Sequence, residues 1–182
     1  MAARNGPDSF GWVSRGIHWL MALGLIGALA FGSYLARIEP SFDTLWMYGA
    51  HKSVGITLLV LVLIRLAWHR FSPPPVAISA GIPGWQVRAA AWSHRLLYLL
   101  MVLVPLSGWV GSSGTGIPTV IFGQITLPAI APATEFWDTA GFTAHSVLTK
   151  ALFALILLHL AGALSHVVLH RDATLRRIVR GR

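Results

Sequence analysis

Cysteine is absent from the chain, and that absence removes several chemistries at once. Disulfides, thiolate zinc sites, iron–sulfur clusters and C-x-x-C-H haem attachment are all excluded. Charge is scarce as well. Only 11% of the residues are Asp, Glu, Lys or Arg, against roughly 25% in a soluble domain, which argues against a water-soluble globule. The 6 acids and 14 bases leave a formal net charge of +8. A nucleic-acid binder would gather such an excess on one face. Here the bases lie between and beyond apolar runs, where membrane topology accounts for them, so no nucleic-acid partner is expected. What the chain does have is apolar surface: 55% hydrophobic residues and a mean hydropathy of +0.66. These values describe an all-α integral membrane protein whose main partner is lipid. Its 182 residues suit a single domain, residues 1–182, built as a four-transmembrane-helix bundle.

The first uncharged run falls between Arg15 and Arg37 and predicts a helix over about 16–37. Residues 1–15 before it are polar and basic and are expected to be flexible at the very start. Ala28-Leu29-Ala30 fits a small-x-small cleavage site, but the apolar run continues past it, and cleavage would discard His18. A second helix is expected over 46–68, with Lys52 and Arg65 snorkelling to opposite interfaces. It is closed by Ser72-Pro73-Pro74-Pro75. The third helix, 90–111, carries Pro105 as a kink site. Residues 112–134 are uncharged but too broken by Gly and Pro to span, and read as an interfacial loop with a short amphipathic or irregular piece. The fourth helix is expected over 145–169, followed by a basic tail, 170–182.

The segment before helix one, the 65–95 connection with the helix ends that flank it, and the segment after helix four hold 11 of the 14 Lys and Arg residues, Arg182 included. Arg37, Lys52 and Lys150 sit on the other side with most of the acids. By the positive-inside rule both termini are expected to be cytoplasmic.

Histidine is the informative residue. His145 and His159 lie fourteen positions apart on one apolar helix, which brings them within roughly 40° on the same face and about 21 Å apart along the axis. Ionisable groups inside a span are costly and are kept mostly for function. One helix presenting imidazoles at two depths is suited to holding two haems, each completed by a histidine from another helix. With no cysteine, any such haem is b-type. His51 is the remaining candidate at the depth of His145. The partner of His159 is His18 or His94, and His18 is favoured because it lies a turn inside a helix bearing Gly24, Gly27 and Gly32. His94 and Arg95 are candidates for contact with a propionate or a quinone. His166, seven residues beyond His159, is read in the same way, with ligation as the weaker alternative. His69 and His170, beside arginines, read as solvated surface.

Ile17-His18-Trp19, His51-Lys52-Ser53-x-Gly55, His94-Arg95-Leu96-Leu97-Tyr98, Pro105-Leu106-Ser107-Gly108 and the His145/His159 pair resemble the prokaryotic cytochrome b561 family, in order and over nearly the whole chain. The resemblance implies a multi-pass cytochrome of the bacterial inner membrane. Its two b-type haems would be held by His18, His51, His145 and His159, and its electrons exchanged with ubiquinone. It also implies an electron donor on the periplasmic side, either a small molecule, superoxide being one candidate, or a redox protein. Lys52 and Lys150 would supply positive charge there, although both also suit a role as membrane anchors. The function expected is therefore electron transfer between a periplasmic donor and ubiquinone, as an oxidoreductase. The alternative is a cytochrome b subunit that docks a separate dehydrogenase or hydrogenase. A histidine-lined metal transporter fits less well, because it needs its histidines to converge on one path.

Overall fold

The computed structural model describes residues 2–181. Arg182, counted above among the cytoplasmic arginines, lies outside the described residues. Four helices are long and apolar enough to cross a membrane: α1 (Trp12–Leu35), α2 (Leu45–Phe71), α3 (Gly84–Gly114) and α4 (Glu135–Val168). A two-stranded antiparallel hairpin, β1 (Thr119–Ile121) and β2 (Ile125–Leu127), lies between α3 and α4, and a short helix, α5 (Thr174–Arg180), ends the chain. Large apolar side chains such as Leu23, Leu63, Leu99, Leu158 and Leu164 are exposed on all four long helices. In water such a surface would aggregate. It is what helices facing hydrocarbon present, since their backbone groups are satisfied internally.

The long helices run beyond the apolar stretches that announce them. α3 begins at Gly84 and α4 at Glu135, because polar and small residues extend a helix wherever a neighbour packs against them.

The chain divides into two compact units, and every long helix contributes to both. The first comprises Met1–Met21, Leu61–Tyr98 and Ala154–Arg182. Met21 and Val62 are fully buried in it, and Trp68 Nε1 donates to Ser14 Oγ at 2.9 Å. The N-terminal segment, expected to be flexible only at its very start, is tied down at Asn5. Asn5 N donates to Ser72 Oγ (2.8 Å) and Asn5 Nδ2 to the Ser72 carbonyl (2.9 Å), while Asn5 Oδ1 accepts from Gly11 N at 2.8 Å. The basic tail folds as α5 against the start of α1: Arg15 donates to the Val179 carbonyl at 3.0 Å and Trp19 Nε1 to the Ile178 carbonyl at 3.2 Å.

The second unit comprises Ala22–Val60 and Leu99–Phe153. Here α3 and α4 meet backbone to backbone. A Cβ on Gly141 would fall 2.3 Å from Gly111 N, and one on Gly114 would fall 2.2 Å from Asp138 N. Small residues at a crossing permit this approach and hold the polar first turns of α4. The hairpin occupies the stretch read as an irregular loop. Its turn places Phe122 (φ 52°) and Gly123 (φ 69°) in the left-handed region, a conformation that costs a non-glycine residue roughly 1–2 kcal/mol. Phe122 N donates to the buried Ser53 Oγ at 2.8 Å, and buried Ser112 and Thr119 share a 2.9 Å hydrogen bond. These contacts offset the strain and pin the hairpin to α2 and α3.

Candidate functional site

In the second unit His51 from α2 and His145 from α4 face one another, ring centroids 6.3 Å apart and planes at 86°. The orientation of His145 is set by α3. Its Nδ1 lies 2.8 Å from the Val104 carbonyl and 3.4 Å from Ser107 Oγ, and Ser107 Oγ itself donates to Val104 at 2.7 Å. A carbonyl can only accept, so His145 Nδ1 is the donor in this contact and Nε2 is the nitrogen left to offer a lone pair. Fixing the outward nitrogen in this way prepares the other for a metal. Glycine provides the space: a Cβ on Gly108 would lie 3.0 Å from His145 Nδ1, and one on Gly32 would lie 2.8 Å from His51 Cε1. His51 Nδ1 is buried and has no hydrogen-bond partner among the described residues. Lys52, half-buried, and Lys150, exposed, belong to this unit.

In the first unit the structure gathers His18, His94 and His159. The His94 and His159 rings lie 5.3 Å apart at 65°, and His18, edge-on to Trp19 at 5.3 Å, has Arg65, His159 and His94 as its electrostatic neighbours. Both candidate partners of His159 are thus present, and His94 is the one in ring contact. His18 Nδ1 is buried without a partner among the described residues. Arg95 lies over the Trp92 ring at 4.9 Å, at an exposed position.

His166 is held by a carboxylate. Its Nδ1 lies 2.6 Å from Asp172 Oδ2 and 3.3 Å from Thr174 Oγ1, and Asp172 Oδ1 accepts from Thr174 N at 2.7 Å. Partial burial raises the Asp172 carboxyl, but the hydrogen bonds from His166 and Thr174 outweigh it and leave the group below its usual 3.8. His69 and His170 are not the solvated side chains expected. His69 Nδ1 lies 3.4 Å from Tyr98 OH. His170 Nε2 lies 3.1 Å from Gln86 Oε1, with its ring 5.5 Å from His166. Arg65, expected to snorkel outward, instead places its guanidinium 5.6 Å from the Tyr98 ring centroid.

Among the described residues no group of three His, Cys, Asp or Glu side chains comes together to hold a bare metal ion. Each unit offers paired imidazoles and an orphaned buried nitrogen, and the unit of His51 and His145 adds a hydrogen-bonded, oriented ring and glycine clearance. That donor set fits a macrocycle that brings its own equatorial nitrogens and needs only axial ligands. A shallow surface depression of about 840 Å³ on α4, from Glu135 to Leu148, contains none of the paired histidines.

The model of the prokaryotic cytochrome b561 family matches this chain over residues 9–181. The chain belongs to that family. Cytochrome b561 homolog 2 of Escherichia coli (strain K12) is 33% identical, over 98% of this chain and 95% of its own length. The probable superoxide oxidase CybB of Yersinia pestis is 31% identical over 90% and 92% respectively. Cytochrome b562 of Cereibacter sphaeroides is 28% identical over 91% and 92%. As a cytochrome b561 family member with four membrane-spanning helices, the protein is a multi-pass electron-transfer protein of the bacterial inner membrane, and its family implies b-type haem.

The sequence by itself does not mark Ser107, Gly108, Val104, Arg65 or Asp172 as site residues, and Gly32, read there as part of a glycine face beside His18, faces His51 instead. Pro105-Leu106-Ser107-Gly108 is visible there as a family-like motif, and its physical role in the fold is to seat His145. Asp172 carries no signal, because its partner lies across the end of a helix.

Proposed function

We propose that the chain is a diheme b-type cytochrome that passes electrons from a periplasmic donor to ubiquinone, with superoxide the donor that best fits. The observation that carries the reading is the sorting of paired histidines into two units, His51 with His145 in one and His18, His94 and His159 in the other. His51 and His145 would be the axial ligands of one haem, His18 and His159 those of the other. Bound there, each haem would supply a one-electron carrier, and two imidazoles for each would favour electron transfer over oxygen chemistry at the metal.

The chain's own residues do the rest. The Val104 carbonyl holds the His145 tautomer, while Gly32 and Gly108 keep space beside the rings. Lys52 and Lys150 favour an anionic donor, since positive charge near an entry site raises the encounter rate. His94, Arg95 and His166 are the polar groups available to a quinone or a propionate, and Asp172 keeps the proton of His166 on Nδ1. Ubiquinone takes up two electrons and two protons, so a one-electron donor is consumed twice for each quinol. The N- and C-termini would then lie on the cytoplasmic side, from which those protons come. The name of the Yersinia relative supports superoxide as the donor.

The test is direct. Purified protein is supplied with an enzymatic superoxide source and a soluble ubiquinone analogue, and quinol formation is followed with and without superoxide dismutase. Dismutase-sensitive quinol formation is expected. Quinone reduction that depends on a stoichiometric co-purifying dehydrogenase would replace this reading with that of a docking subunit.

A further inference from the structure

Arg65 is a charge with no acidic counter-ion among the described residues. It lies in α2, inside a span, with Nε buried and without a hydrogen-bond partner among the described residues. Its surroundings are imidazoles and a phenol: it interacts electrostatically with His18, His69, His94, His159 and Tyr98. The described acids of its unit are engaged elsewhere. Asp172 pairs with His166 at 2.6 Å, and Asp8, 87% exposed, lies 3.3 Å from Arg177. A guanidinium taken out of water without a counter-charge is costly, and its fork of donors is shaped to grip an oxyanion. Tyr98 and His69 fix its position: the guanidinium lies over the Tyr98 ring at 5.6 Å, and His69 Nδ1 approaches Tyr98 OH at 3.4 Å.

We propose that Arg65 is an oxyanion-binding residue at the His18/His94/His159 group, and that the missing counter-charge is supplied by a ligand. This inference rests on the diheme reading. The shared chemistry is a carboxylate or enolate-like oxygen within the span, and its source is either a haem propionate or the reduced quinone.

The experiment uses full-length purified protein as wild type, Arg65→Gln and Arg65→Lys. Haem content is measured first, then the haem reduction equilibria by spectroelectrochemistry without quinone, then the affinity for a soluble ubiquinone analogue. If the partner is a propionate, Arg65→Gln makes one haem harder to reduce by about tenfold, which is about 59 mV for one electron, while Arg65→Lys falls between. If the partner is the quinone, analogue affinity falls about tenfold in Arg65→Gln, with Arg65→Lys again between, whereas a propionate partner leaves that affinity as in wild type. A haem-loaded Arg65→Gln that matches wild type in both quantities overturns the proposal. If Arg65→Gln does not fold, Arg65→Lys decides: a shift in either quantity supports the site and none overturns it. A wild type lacking haem would overturn the diheme reading and this inference with it, and is distinguished by being seen before any variant is compared.

Discussion

His145 Nδ1 lies 2.8 Å from the Val104 carbonyl, so an imidazole on one helix is aimed by the backbone of another. Val104 immediately precedes Pro105, and Ser107 and Gly108 complete the seat. His145→Ala and His51→Ala are each expected to lose one haem per chain and keep the other, as is His159→Ala. Gly108→Val should do the same with the histidine intact, because its side chain occupies the space of the ring. Pyridine haemochrome content per chain checks all four, and retention of both haems in any of the histidine variants would remove that residue from the ligand set.

Gly141 and Gly111 bring α3 and α4 into backbone contact. Gly141→Ala therefore forces the helices apart and is expected to destabilise by about 1–3 kcal/mol, the usual range for overpacking. Thermal melting in detergent, followed by haem absorbance, measures this. Gly27→Ala, where a Cβ meets nothing within 4 Å, should melt as wild type does.

Ser53 Oγ both donates to Gly49 and accepts from Phe122 N, each at 2.8 Å. Ser53→Ala leaves a strained turn without its anchor, and loss of that hydrogen bond is expected to cost about 1 kcal/mol. Amide exchange should quicken over 119–127 and remain unchanged in α5. Unchanged exchange in the hairpin would mean that the Ser112–Thr119 bond suffices to hold it.

The Asp172 carboxyl is held below 3.8 in the folded chain. A depressed acid stabilises above its unfolded pKa, and that contribution fades as pH falls through the folded value. The link between His166 and α5 should therefore be intact at neutral pH and weaken below about pH 3.8. Asp172→Asn should show the weakened state at neutral pH. Limited trypsin cleavage after Arg176 or Arg177, compared between wild type and variant, reads the difference.

Four membrane helices are legible in the sequence because uncharged apolar runs of that length are stable chiefly in a bilayer. His145 and His159 stand out because polar groups are rare within such runs. The full lengths of α3 and α4 are not legible. The last turn of α3 and the first turns of α4 depend on Gly111 meeting Gly141 and Gly114 meeting Asp138 across space, and glycine in sequence argues equally for a break. The hairpin is hidden for a related reason: its three-residue strands are too short for a periodic signal, and its turn is stabilised by Ser53 on α2. The partners of His69, His170 and Arg65 are all side chains on other elements, so proximity to arginines in sequence suggests solvent where the fold provides Tyr98 and Gln86.

Whether the paired histidines hold two b-type haems is tested most directly by a dithionite-reduced minus oxidised optical spectrum of the purified protein, with haem-to-chain stoichiometry. The expected result is a low-spin b-type spectrum at about two haems per chain, as bis-histidine iron gives. One haem per chain would contradict one of the two pairings, and a colourless protein would contradict the electron-transfer account altogether.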